Sequence, residues 1–222
     1  MAELIDKLTI LGTNEFGYPS VCDICKGSVE YEGLKVKKAF YRAGNEKRLM
    51  LVGQDPTIRK DKARVNVPLM LDDANSQLSK WLRQSIFGEE FERMTLYATN
   101  IVKCSFNKPP SEQVVGGKKF LERYFINCQE HLKNEINSFK PTILLGLGEP
   151  VHIYLSQIFG EETKNVSMKN SFTGKFKFLG LIDSEHKFYY SPCLHIQNFR
   201  VAETYGDAVK DFKLGVKEIL KQ

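Results

Sequence analysis

The chain has 222 residues, 42% of them hydrophobic, enough for one sizeable core, and no apolar run approaches the length of a bilayer-spanning helix. Lysine and arginine outnumber aspartate and glutamate 32 to 27, a formal charge of +5 that is compatible with nucleic acid without pointing to it. The first residues lack the basic and apolar regions of a secretory signal, so an intracellular protein is expected, and its five cysteines read as metal ligands or buried thiols rather than disulfides.

In chain order, residues 4–10 predict a short helix, and Cys22-Asp23-Ile24-Cys25 forms a C-x-x-C in a turn context. Residues 31–41 mix polar and apolar side chains and predict one strand or an irregular connection. Residues 49–52, Leu-Met-Leu-Val, are a continuous apolar run of the kind that suits a central parallel strand. The run stops at Gly53 and delivers Gln54, Asp55, Pro56 and Thr57 into a loop, followed by a basic stretch with Arg59, Lys60, Lys62 and Arg64.

The spacing of Leu78, Trp81, Leu82 and Ile86 predicts an amphipathic helix over residues 75–87, ended near Gly88. Residues 94–102 predict a second strand leading to Asn100, Lys103 and Cys104. A long helix over 120–139 faces the core through Leu121, Tyr124, Phe125, Cys128, Leu132 and Ile136. Residues 142–148 are another buried strand with glycines at its carboxyl end, and Pro150 suits the first turn of a helix reaching residue 158. A hairpin or two short strands over 172–182, a last strand at 187–191 and a closing helix at 203–220 complete the chain. Alternating strands and helices predict one domain, 1–222, a three-layer α/β/α sandwich with a mostly parallel sheet.

Parallel strands place their carboxyl ends on one rim, where ligands gather, so Asp55, Asn100 and His195 are expected to share a cleft. Each also has an ordinary reading: a turn carboxylate before proline, a strand-end amide, a satisfied loop histidine. The C-x-x-C is common by chance.

The run Gly53-Gln54-Asp55-Pro56-Thr57 resembles the first motif of the uracil-DNA glycosylase superfamily. Tyr97-Ala98-Thr99-Asn100-Ile101-Val102-Lys103-Cys104 is similar to its second signature, above all in the iron–sulfur branch, and residues 141–148 resemble a later core strand. His195, with Arg200 five residues on, stands where a histidine-led motif is expected. The resemblance covers most of residues 20–215.

It implies cleavage of the N-glycosidic bond of uracil, or a related deaminated base, flipped out of DNA. Asp55 would activate water and His195 would stabilise the leaving base. Gly53, Gln54, Pro56, Thr57 and Asn100 would bind the substrate, with Arg59, Lys60, Lys62 and Arg200 near its phosphates. Cys22, Cys25, Cys104 and Cys128 fall in the order of that branch's ligands, implying a 4Fe-4S cluster, with zinc as the alternative. The cluster would pin residues 1–45 and present Lys103 and Lys108 to the DNA backbone. Cys193 reads as a bystander.

Three departures are visible: Thr57 where the best-known uracil enzymes carry tyrosine, Leu69 where the branch stacks a phenylalanine, and Ile196-Gln197 in place of Pro-Ser. They keep open a catalytically weak or inactive nucleic-acid-binding module on the same fold. A hydrolase of free nucleosides or nucleotides is a third reading. The expected state is an intracellular, nucleoid-associated monomer acting on single- or double-stranded DNA, without membrane contact.

Overall fold

A computed structural model describes residues 39–54, 68–103, 117–163, 167–195 and 202–222. Six strands form one sheet: β1 (Phe40–Arg42), β2 (Asn45–Gly53), β3 (Met94–Asn100), β4 (Ile143–Leu147), β5 (Lys177–Leu179) and β6 (Phe188–Cys193). Their order is β1-β3-β2-β4-β6-β5. The inner four are parallel, and the three-residue edge strands β1 and β5 pair antiparallel with β3 and β6. Short edges of this kind limit pairing with other chains.

The helices are α1 (Gln77–Lys80), continuing as a π-helix (Trp81–Phe87), then α2 (Glu90–Arg93), α3 (Gly117–Phe139), α4 (Glu149–Ile158), α5 (Met168–Ser171) and α6 (Ala202–Lys221). Alternation along the strands divides the core. Met50, Val52, Tyr97 and Leu144 pack with α3 and α4 on one face. Leu49, Leu51, Leu96, Leu145 and Leu147 pack with α1, the π-helix and α6 on the other. This is the expected three-layer α/β/α sandwich. Both faces are covered, which is why β2 and β4 read as continuous apolar runs. Among the described residues no helix is long and apolar enough to cross a membrane.

Local chemistry fixes the ends of the elements. Helix α3 stops where Lys140 turns left-handed (φ 51°) before Pro141, and the Arg48 guanidinium donates to the Phe139 carbonyl at 3.0 Å. Helix α4 opens with Gly148 at its N-cap and Pro150 in its first turn, as predicted.

The structure differs from expectation in four places. The helix predicted over 75–87 is α-helical for four residues and then π-helical, keeping Leu78, Leu82 and Ile86 buried and stacking Trp81 on Phe212 at 6.0 Å. Strand β3 ends at Asn100, because the amides of Ile101 and Val102 turn to the carbonyls of Gly53 and Gln54. Residues 172–182 form no hairpin of their own: β5 pairs with β6, and helix α5 precedes it. The strand expected at 187–191 runs from Phe188 to Cys193.

Candidate active site

The carboxyl ends of the four parallel strands form one rim. Gly53 pairs with Asn100, and Leu147 with Cys193, so β3, β2, β4 and β6 end at one level. The chain leaving β2 packs its helices on one face, whereas α4, leaving β4, packs on the other. Since β2 and β4 are neighbours, the crevice between their ends is a topological switch point, the usual ligand position in open α/β sheets.

Asn100 stands at this crevice. It is 4% exposed. Its side chain lies against Gly53 at the strand ends, the position at which ligands meet open α/β sheets. A Cβ on Gly53 would lie 2.5 Å from Asn100 Oδ1 and 2.7 Å from Leu69 Cδ2, so only glycine lets the amide lie across the end of β2. The bonds Ile101 N–H to Gly53 O (2.8 Å) and Val102 N–H to Gln54 O (3.0 Å) extend the pairing past the strands and hold Gln54 beside Asn100.

Leu69 forms the neighbouring wall. Leu69 (φ 62°) and Met70 (φ 53°) are consecutive left-handed residues, each costing about 1–3 kcal/mol relative to ordinary backbone. Such strain persists only where the surroundings impose it, and here it brings an aliphatic side chain against Gly53.

On the far side of the crevice, His195 follows β6 by two residues and is exposed at the rim. Gly148 (φ 94°) needs glycine for its backbone, and a side chain there would stand 3.5 Å from the His195 ring. His195 therefore leans over the start of α4, and desolvation of its ring lowers its pKa from the ordinary 6.5. Strands lie about 4.8 Å apart, so from Asn100 on β3 to the end of β4 is about 10 Å.

A second polar group beneath the rim was not foreseen. Lys103 Nζ is ion-paired with Glu135 of α3, and the two side chains are 3% and 0% exposed. Lys103 also donates to Thr99 Oγ1 at 2.6 Å, and Glu135 Oε1 accepts from Tyr97 (2.9 Å) and Thr99 (3.2 Å). Burial, with the Glu135 charge second, raises the Tyr97 pKa well above its ordinary 10.0. Lys103 is thus an interior residue, which overturns the expectation that it meets the DNA backbone. The i+4 spacing of Thr99 and Lys103 was visible in the chain; their partner, 32 residues further on, was not.

Of the four expected metal ligands, Cys128 is described and is 1% exposed in the cluster that also holds Ile101 and Val102. Cys22, Cys25 and Cys104 lie outside the described residues, as do Asp55, Pro56, Thr57, Arg59, Lys60, Lys62, Lys108 and Arg200, and the helix expected at 4–10. Among the described residues no group of three or more His, Cys, Asp or Glu is placed to hold a metal. Cys193 is fully buried, and burial pushes its thiol pKa up, in line with a neutral bystander.

A comparison with curated proteins finds no match. The family model of the uracil DNA glycosylase superfamily matches residues 41–205, a span that begins in β1, ends in α6 and takes in the whole parallel sheet and its rim. A sequence match over most of the chain thus coincides with Asn100 at the switch point and His195 across from it, and the chain belongs to the uracil-DNA glycosylase superfamily.

Proposed function

We propose that the protein is a monofunctional DNA glycosylase that extrudes uracil, or a related deaminated base, and hydrolyses its N-glycosidic bond, leaving an abasic site. The observation that carries this reading is the Asn100 amide, 4% exposed and lying across Gly53 at the carboxyl end of β2. An amide in that position can donate to O4 of uracil and accept from N3–H, a pattern cytosine does not match in the same orientation.

Bond cleavage leaves positive charge on the sugar and negative charge on the departing base. Asp55, two residues past Gly53, orients the attacking water and stabilises the cationic sugar. His195 donates a hydrogen bond to the leaving base. The lowered pKa favours the neutral ring, so the donated proton is that of a neutral imidazole. An NMR titration of the His195 ring should give a midpoint below 6.5, and His195→Ala should slow uracil release by about 10- to 100-fold. A midpoint above 6.5, or an undiminished rate, contradicts this role.

Pro56 and Thr57 complete the base pocket, and Thr57 leaves more room than tyrosine would, so the pocket admits larger deaminated bases. Arg59, Lys60, Lys62 and Arg200 meet phosphates flanking the extruded nucleotide. The protein works on DNA as an intracellular, nucleoid-associated monomer.

Cys22, Cys25, Cys104 and Cys128 are assigned to a cluster on their order in the sequence. Cys128 is buried on α3, and Cys104 follows the exit of β3 in the sequence. A 4Fe-4S cluster would supply a cross-link among residues 1–45, the exit of β3 and α3. Purified protein should be brown and contain iron with acid-labile sulfide; colourless protein with stoichiometric zinc would keep the ligands and reject the cluster.

A second reading is favoured by Leu69, an aliphatic wall where a stacking ring would hold the base. It makes the chain a binding module that recognises DNA without cleaving it.

A further inference from the structure

Asn100 can choose between bases only if its amide is held in one orientation, because half a turn exchanges donors and acceptor. The chain on either side of that amide is tied down by bonds of its own. Thr99 and Lys103 flank Asn100 and are joined at 2.6 Å, and both are tied to Glu135 on α3. The bonds from Ile101 and Val102 to Gly53 and Gln54 hold the opposite side. The segment 99–103 is thus closed into a loop around Asn100.

We propose that Lys103 and Glu135 are a positioning pair that sets the Asn100 amide for uracil against cytosine. The proposal rests on the reading of Asn100 as the base-recognition residue. Buried ion pairs add little to stability compared with well-packed apolar residues, so folding alone gives no reason for one here. This pair binds both neighbours of Asn100's turn to the rigid 23-residue helix α3 and satisfies its own polar atoms through Tyr97 and Thr99. It fixes conformation rather than touching substrate.

The test compares the parent with Lys103→Met/Glu135→Gln, which removes both charges and keeps an acceptor for Tyr97 and Thr99. The variant should unfold cooperatively and shift or broaden the NMR signals of the Asn100 side-chain NH2. On single-stranded oligonucleotides its kcat for uracil should fall by at least about tenfold, with KM within about twofold and a narrower preference for uracil over cytosine. Thr99→Val, which deletes only the hydroxyl joining Lys103 to the strand, should move the same signals and serves if the double variant fails to fold. Unmoved Asn100 signals or an unchanged base preference in folded variants overturn the proposal. A parent that releases no base instead refutes the glycosylase reading, and the NMR comparison still decides whether the pair positions Asn100.

Discussion

Replacing Asp55 by asparagine is expected to lower uracil release by about a thousandfold, or about 4 kcal/mol in the barrier, while DNA binding stays within a few-fold of the parent. Asparagine keeps the shape of aspartate but neither its charge nor its basicity. The proposed transition state needs both, one to face the cationic sugar and one to draw a proton from water. The same substitution tests the ordinary reading of Asp55. Asparagine caps turns and helices about as well as aspartate, so a merely structural carboxylate would tolerate the exchange. Position favours the catalytic role: Asp55 follows Gln54, whose carbonyl is held by the Val102 amide at the β2–β4 crevice. A single-turnover assay of uracil release decides between them; a rate within about threefold of the parent would end the catalytic assignment.

Glu135→Leu should be the most damaging single change to stability, at about 3–5 kcal/mol. It strands the Lys103 ammonium in an interior where Lys103 is 3% exposed, and leaves the Tyr97 and Thr99 hydroxyls without their acceptor. For a chain of this size the melting temperature should fall by on the order of 10 °C. Adding Lys103→Met should restore a large part of the loss, because removing both charges avoids the unpaired one. Thermal unfolding of the two variants checks this. A single variant as stable as the parent would mean that water or another group reaches Lys103.

Much of this fold could be read before the structure because local and tertiary requirements agreed. Leu49 to Val52 and Ile143 to Leu147 are apolar throughout, as strands covered on both faces must be. Pro150 and Pro141 mark helix boundaries by backbone chemistry alone. Strand β1 was only half legible, as one of two readings of residues 31–41: Phe40 to Arg42 is short and half polar, and is held by tertiary partners, with Arg42 paired to Glu92 and stacked 4.8 Å from the Phe91 ring centroid. The π-helix was hidden because Leu78, Leu82 and Ile86 give the same stripe in either helical register.

The candidate site divides in the same way. Gly53, Asn100 and His195 reach one rim because parallel strands end together, which periodicity can anticipate. Leu69 was visible only as a departure from a motif; its left-handed backbone and its contact with Gly53 depend on packing. Lys103 was expected at the DNA backbone because the implied cluster would present it there. Its burial depends on Glu135, a partner no local pattern announces.

The proposed function is that the rim at Asn100 cleaves a glycosidic bond rather than merely holding a base. The most direct measurement incubates the protein with a single-stranded oligonucleotide carrying one uracil, treats it with alkali and resolves the products on a denaturing gel. Cleavage at the uracil by the parent, and its loss in Asp55→Asn, is the predicted result. Intact strands at uracil, hypoxanthine and xanthine alike, from a protein that still binds the oligonucleotide, would contradict the claim and leave a binding module.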